Sequence, residues 1–328
     1  AARGLLRAGS AGAARDHRSM TSIDELRSYI LTTEELTARG FSSQSLSREV
    51  AAGELVRLRP GYYVEKHARD LTRKDRHLLS ILASDAALNG PVFTHWSAAM
   101  IHGLPDWGLP LRMTAISRHG HSQRSGSTRV MKHDLCPLAP EEIVTVEGIS
   151  VASPARTIID IARTCDPVPS IVAADAGLKG ELVTEASLRD ALGRATGRSG
   201  IKRARTVMKL TDGTSESVAE TRSRLYFSDY GLPEPETQVE IFDDEGRFVA
   251  RVDFLWPELG VIGECDGLGK YFDGADAAET RRRIAAEKDR DARLTALGYH
   301  VIHWRWADLE RPWVLIQRLR DVLLAHAA

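Results

Sequence analysis

Two short apolar segments near the end of the chain carry three carboxylates. Residues 251–256 (RVDFLW) hold Asp253 between apolar neighbours, and residues 261–266 (VIGECD) hold Glu264 and Asp266 two positions apart. Pro and Gly residues separate the segments, a pattern that predicts two strands with a tight connection. Since alternate residues of a strand face the same side, Glu264 and Asp266 should project together, and a hairpin would bring Asp253 beside them.

Carboxylates on apolar strands need a physical reason, because burying a lone charge costs free energy. One reason is a hard divalent cation such as Mg²⁺ or Mn²⁺, which binds oxygen ligands and keeps water molecules available for chemistry. The other reason is ordinary: carboxylates on an edge strand can face solvent or pair with arginine. Both interpretations of the segment stay open at this point.

The length and charge of the chain set limits on its architecture and partners. Its 328 residues allow two or three domains, and 43% hydrophobic and 27% charged residues are typical of a globular protein. The formal net charge is −1, so the chain as a whole does not attract nucleic acid. Contact with DNA would have to come from local basic patches.

The cysteines and the hydropathy pattern predict a cytoplasmic protein. Cys136, Cys165 and Cys265 lie far apart and lack CxxC spacing, which argues for a reducing compartment and against a zinc ribbon. The sequence contains no apolar run of the length that spans a membrane. We therefore expect no membrane partner; the sequence does not indicate an oligomeric state.

The N-terminal part predicts a winged helix-turn-helix over residues 20–70. Residues 1–19, rich in Ala, Gly, Arg and Ser, are expected to be a disordered lead-in. Ser42 or Ser43 caps a helix that ends at Gly53. The following residues 55–64 read as a strand, a Pro-Gly turn and a return strand, which is the pattern of a wing.

This module predicts contact with double-stranded DNA. Short polar or basic side chains suit a helix in the major groove, and arginines on a wing can reach phosphates. The predicted contacts are Gln44, Ser45, Ser47, Arg48, Arg57 and Arg59. The alternative is a small module that packs on protein and binds no DNA, which the lack of a net basic charge in the segment favours.

The rest of the chain predicts two further domains. Residues 71–213 form an α+β middle domain, and residues 214–328 predict the order helix, three strands, helix, strand, helix. The second pattern indicates a mixed sheet with helices on both faces. The predicted fold class is therefore α/β multidomain.

The C-terminal domain resembles the PD-(D/E)XK nuclease superfamily, in the branch related to very-short-patch-repair endonuclease. The matching segments are residues 220–225 (ETRSRL), 251–257 (RVDFLWP), 263–267 (GECDG), 287–288 (EK) and 298–304 (GYHVIHW). Their order and spacing carry the resemblance over about a hundred residues. It implies a domain that is built on a PD-(D/E)XK-like mixed sheet and hydrolyses phosphodiester bonds with Mg²⁺ or Mn²⁺.

The resemblance also assigns roles to acidic residues. It implies that Asp253 and Glu264 bind the metal and that Glu220 is an additional catalytic acid. The catalytic lysine of the superfamily follows the second acid by two positions, and here that position is Asp266.

This departure from the pattern leaves two ways to complete the site. Asp266 can act as a further metal ligand, or Lys270 or Lys288 can supply the missing positive charge. If neither holds, the nuclease site is inactive.

The first two domains resemble the AbiEi-type antitoxin family. The winged helix, residues 97–104 (SAAMIHGL) and residues 153–157 (SPART) carry this similarity. The first interpretation of the whole chain is a DNA-binding protein with a metal-dependent endonuclease-like domain. The alternative is a non-enzymatic AbiEi-like antitoxin or repressor with an inactive nuclease fold and a cognate toxin as partner.

Overall fold

The computed structural model describes residues 22–117, 130–132, 138–266 and 277–327. The predicted lead-in of residues 1–19 and the candidate residue Lys270 lie outside these ranges. One compact unit contains the residues up to 170 together with 183–205, and the other contains 171–182 and the residues from 206 onward. The predicted boundaries at residues 70/71 and 213/214 stay predictions. In the described part of the chain, every helix is too short or too polar to cross a membrane.

The first unit begins with a winged helix-turn-helix. Its elements are α1 (Ile23–Ser28), β1 (Leu31–Thr32), α2 (Thr33–Ala38), α3 (Ser43–Ala52), β2 (Leu55–Arg59) and β3 (Tyr62–Glu65). The strands pair antiparallel in the order β1-β3-β2. As predicted, Ser42 caps α3, accepting the N–H of Ser45 at 3.1 Å, and Gly53 ends it at φ 77°. The two-residue strand β1 was not predicted, because so short a segment has no periodicity.

A five-stranded sheet and six α-helices follow the winged helix along the described part of the chain up to residue 210. They are α4 (Arg73–Ala87), β4 (Val92–Phe93), α5 (His95–Ile101), β5 (Thr114–Ser117), β6 (Val130–Lys132), β7 (Ile143–Val146), β8 (Ile149–Ala152), α6 (Pro154–Thr164), α7 (Pro167–Lys179), α8 (Glu185–Arg194) and α9 (Ile201–Leu210). The strand order is β6-β5-β4-β8-β7. Both parallel pairs (β4 with β8, β5 with β6) and antiparallel pairs occur, so this sheet is mixed.

Four buried charged residues in the first unit are paired with one another. Arg156 contacts Glu142 at 2.5 Å and Asp160 at 2.7 Å, and Arg163 contacts Asp160 at 2.8 Å. All four side chains are buried, and a buried charge is tolerated only when it is paired and hydrogen-bonded. This network therefore fixes the start of α6, where the segment SPART lies, against the residues before β7.

From residue 214 onward, the second unit has the predicted order of helix, three strands, helix, strand and helix. These elements are α10 (Val218–Asp229), β9 (Glu236–Phe242), β10 (Phe248–Trp256), β11 (Val261–Asp266), α11 (Ala277–Ala296), β12 (His300–Arg305) and α12 (Pro312–His326). The sheet order is β12-β11-β10-β9. β9, β10 and β11 pair antiparallel, and β12 is parallel to β11 because α11 makes the crossover between them. The predicted mixed sheet is confirmed.

Helices cover both faces of this sheet. On one face, Phe227 of α10 and Leu319 of α12 share an apolar cluster with Trp256 and Trp304. On the other face, the fully buried Leu294 of α11 joins a second cluster that includes strand residues. Burial of these large side chains stabilises the second unit and holds the strand ends that carry the acidic residues.

His77 makes the stability of the first unit sensitive to pH. Its Nδ1 lies 2.9 Å from the carbonyl oxygen of Leu111, so this nitrogen must donate, and Nε2 lies 2.9 Å from Oγ of Ser97. The Ser97 hydroxyl accepts the N–H of Ala115 at 2.9 Å and can donate its own hydrogen to Nε2. Burial lowers the pKa of His77 from 6.5 to about 4.

We expect the free energy of unfolding to fall as the pH drops from 6.5 toward 4. In this range the unfolded chain binds the proton before the folded chain does. The contribution of neutral His77 is therefore complete above pH 6.5 and is lost through about pH 4, a loss on the order of 3 kcal/mol. Urea unfolding of wild type and His77→Asn, whose amide can still donate to Leu111, would measure it. An equal pH dependence in both proteins would contradict this assignment.

Gly263 is required by close packing behind the acidic strand. A Cβ at this position would lie 2.7 Å from Cη2 of Trp304 and 3.2 Å from Cζ3 of Trp256. We expect Gly263→Ala to destabilise the protein by about 1–3 kcal/mol, because the buried rings have little room to move. Gly193→Ala is the control, since a Cβ there meets open space. Thermal unfolding of both variants tests this, and equal midpoints would contradict it.

Candidate nucleic-acid interface and carboxylate site

The exposed side of α3 presents some of the predicted DNA-contacting residues. Gln44, Ser47 and Arg48 are exposed, and Leu46 faces the core. Residues 44, 47 and 48 lie on one side of a helix because of its 3.6-residue period. The module thus offers a polar and basic helix face to solvent.

The two serines of this set have local roles. The Ser45 hydroxyl donates to the carbonyl of Ser42 at 2.9 Å and accepts the N–H of Ser42 at 2.8 Å. The Ser47 hydroxyl donates to the carbonyl of Ser43 at 3.0 Å. Ser45 is half-buried and completes a capping box, which sequence reasoning missed. Gln44 and Arg48 are therefore the side chains of α3 best placed to contact a ligand.

The two wing arginines differ in exposure. Arg57 is exposed, whereas Arg59 is half-buried and its Nε and Nη1 atoms are shielded from solvent. Regular alternation would put both on one side, but the pairing shifts between Arg57↔Tyr63 and Arg59↔Tyr62. A bulge of this kind turns a side chain away from its expected direction. The wing therefore presents Arg57 to solvent and turns Arg59 inward.

In the second unit, Asp253 lies where the β10–β11 ladder ends. The last pairs are Trp256↔Val261, Leu255↔Ile262 and Phe254↔Gly263, so the next pair would have been Asp253 and Glu264. There, Oδ2 of Asp253 accepts the N–H of Cys265 at 2.8 Å. A side-chain carboxylate thus replaces a backbone carbonyl, and the strands separate at this point.

Glu220 joins Asp253 through a bridging amide. Nε2 of Gln238 donates to Glu220 at 2.9 Å and to Asp253 at 3.3 Å. Gln238 has φ 54° within β9, a conformation that costs roughly 1–3 kcal/mol in a non-glycine residue. Burial, and then the charge of Asp253, raise the pKa of Glu220. Gln238 therefore holds the two acids together through its side-chain amide. Sequence reasoning missed this residue.

Glu264 and Asp266 are buried on the side of the sheet that α11 covers. Arg290 of α11 lies 3.5 Å from Glu264, whereas Lys288 is exposed. The side of α11 that carries Leu294 also carries residue 290, because positions four apart share a side. Among the described residues, Arg290 is therefore a cation next to the acids, and it was not among the predicted residues.

The acidic cluster also contains an imidazole. His303 of β12 is paired with Glu264 in the parallel ladder. Its Nε2 contacts Asp291 at 2.9 Å, and its Nδ1 lies 3.9 Å from Asp266. One ligand atom each from Asp266, Glu287 and His303 lie within 4.8 Å of one another. This trio could hold a metal ion.

This trio differs from the predicted metal ligands. Within the described ranges, Asp253 and Glu264 belong to no such group, and Asp266 alone belongs to both sets. Two carboxylates with an imidazole suit Mn²⁺ better than Mg²⁺, which prefers oxygen ligands alone. The missed residues, Glu287 and His303, are distant in sequence, and only the packing of α11 on β12 brings them together.

Comparisons with known proteins identify relatives over most of the chain and a family similar to its first module. Residues 20–66 match the family model described as transcriptional regulator, AbiEi antitoxin. Two Mycobacterium tuberculosis proteins, Uncharacterized protein Rv2248 of strain ATCC 25618 / H37Rv and Uncharacterized protein MT2308 of strain CDC 1551 / Oshkosh, are each 30% identical over 266 residues. The match covers 79% of this chain and 88% of each relative. The chain therefore belongs to the family of these two mycobacterial proteins, and its first module is similar to an AbiEi-type transcriptional regulator.

Proposed function

We propose that the chain is a DNA-binding regulator of the AbiEi type that contacts double-stranded DNA through α3 and the wing. The supporting observation is the exposed set of Gln44 and Arg48 on α3 and Arg57 on the wing, in the segment that matches the regulator family. Gln44 can read a base edge, and the two arginines can neutralise phosphates. The antitoxin description of the matched family also supports a protein toxin as a partner.

We expect the double variant Arg48→Ala/Arg57→Ala to weaken binding to a duplex. Loss of two phosphate contacts should lower the slope of log K against log salt by about two. Fluorescence anisotropy with a short labelled duplex, measured over a range of salt concentrations, gives that slope. Arg39→Ala is the control, because Arg39 is also exposed but lies directly after α2, outside α3 and the wing. An unchanged slope in the double variant would remove α3 and the wing from the DNA interface.

A second candidate function is metal-dependent hydrolysis of phosphodiester bonds in the second unit. It is favoured by the acids at the opened strand ends and by the trio Asp266, Glu287 and His303. A divalent cation bound there would supply an activated water and neutralise phosphate charge.

The other residues of this site would position the reacting groups. Arg290 balances the buried charge of Glu264 and would attract a phosphate. Gln238 holds Glu220 beside Asp253, and the raised pKa of Glu220 suits a proton-holding group. The resemblance of the sequence to PD-(D/E)XK nucleases supports this arrangement. Arg290 would supply the positive charge of the catalytic lysine that the sequence lacks.

We expect cleavage of plasmid DNA with Mn²⁺ or Mg²⁺ to fall at least about a hundredfold in Asp266→Asn and in Asp253→Ala/Glu264→Ala, because ligand charge is lost. Glu258→Gln is the control, since Glu258 is exposed on the turn between the same strands. Lys288→Met tests whether Lys288, rather than Arg290, supplies the cation.

The result also separates the two candidate functions. Wild type that binds duplex but leaves plasmid DNA intact with either cation would support the regulator and contradict the hydrolase. Cleavage that survives loss of the acids would contradict this site.

A further inference from the structure

A cavity in the first unit is surrounded by arginines. It has a volume of about 230 Å³ and lies between the wing, helix α4 and strand β5. The arginines that line it are Arg57, Arg59, Arg69, Arg76 and Arg112. They come from four separate parts of the chain: β2, the 3-10 turn after β3, the first turns of α4, and the segment before β5.

Three of these arginines, Arg69, Arg76 and Arg112, lack a carboxylate partner within the described part of the chain. Among the described residues that line the cavity, none is Asp or Glu. Like charges held together raise the free energy of the folded state, and an anion between them would lower it.

Two of these arginines are held in place by contacts of their own. Nη1 of Arg76 donates to the carbonyl of Arg69 at 3.3 Å. The guanidinium of Arg69 lies against Gly53, 3.1 Å from the place where a Cβ would stand. Both side chains are therefore partly ordered before any ligand arrives, which lowers the entropy lost on binding.

The remaining lining includes an imidazole and several apolar side chains. His77 lies at the cavity, but its two nitrogens contact Leu111 and Ser97, so it adds no charge. Val56, Val64 and Leu79 supply an apolar surface. A ligand that fits this lining has an anionic group for the arginines and an apolar group for the wall.

We propose that this cavity binds a small organic molecule that carries a phosphate group. A guanidinium presents two parallel N–H donors that match the oxygens of a phosphate. The volume of about 230 Å³ exceeds the need of one such group and leaves space for an organic part. The half-buried Arg59 lines the cavity, whereas a DNA backbone would stay at the surface.

The test is calorimetric titration of the full chain with phenyl phosphate, without DNA. We expect Arg76→Gln and Arg112→Gln each to weaken binding roughly tenfold or more, because each removes a charge-assisted hydrogen bond. Both arginines are exposed residues, so these variants should fold. Arg39→Gln, which lies away from the cavity, should bind as wild type does. Inorganic phosphate should bind more weakly, since it lacks the apolar group.

Four results would overturn the proposal. The first is no binding of phenyl phosphate by wild type, and the second is equal affinity in wild type and in both cavity variants. The third is tighter binding of benzoate than of phenyl phosphate, which would assign the cavity to a carboxylate. The fourth is displacement of phenyl phosphate by a duplex, together with a loss of DNA affinity in both variants that equals their loss of phenyl phosphate affinity. This result would assign the arginines to the DNA interface. Because the first titration contains no DNA, its outcome is independent of the proposed regulator function.

Discussion

The arrangement of acids in the second unit depends on one hydrogen bond, from the N–H of Cys265 to the carboxylate of Asp253. A strand that leaves its neighbour exposes backbone groups that must find other partners. Here the side chain of Asp253 is the new partner of the Cys265 N–H. β10 can therefore diverge from β11 while β11 stays paired with β12. The opening brings Glu220 and Gln238 to Asp253 on one side, and leaves Glu264 and Asp266 under α11.

Charge in this protein is organised locally. The whole chain has a formal net charge of −1, yet the first unit gathers five arginines around one cavity and the second gathers carboxylates at one end of a sheet. The buried charges of the Arg156 network, in contrast, are paired with one another. A network of paired charges stabilises the fold. Charged groups of one sign that lie together raise the free energy of the folded state, so a ligand of opposite sign would be stabilising there.

Sequence reasoning identified the elements that carry the candidate sites more reliably than the side chains that meet there. The cap at Ser42 and the end of α3 at Gly53 follow from local backbone chemistry. The inward direction of Arg59 does not follow from local chemistry, because a bulge in the pairing of β2 with β3 overrides the alternation of the strand. In the same way Lys288 could be proposed from spacing, but the packing of Leu294 selects the side of α11 that carries Arg290.

The sequence by itself determined the winged helix, the mixed sheet with helices on both faces, and the presence of Asp253, Glu264 and Asp266 on neighbouring strands. These features depend on periodicity, caps and turns, which act over a few residues. Only the tertiary structure decided that His303 and Glu287 join Asp266, that Gln238 bridges two acids, and that arginines from four parts of the chain surround one cavity. Such groups form through contacts between residues distant in sequence, and those contacts depend on how helices pack on sheets rather than on local pattern.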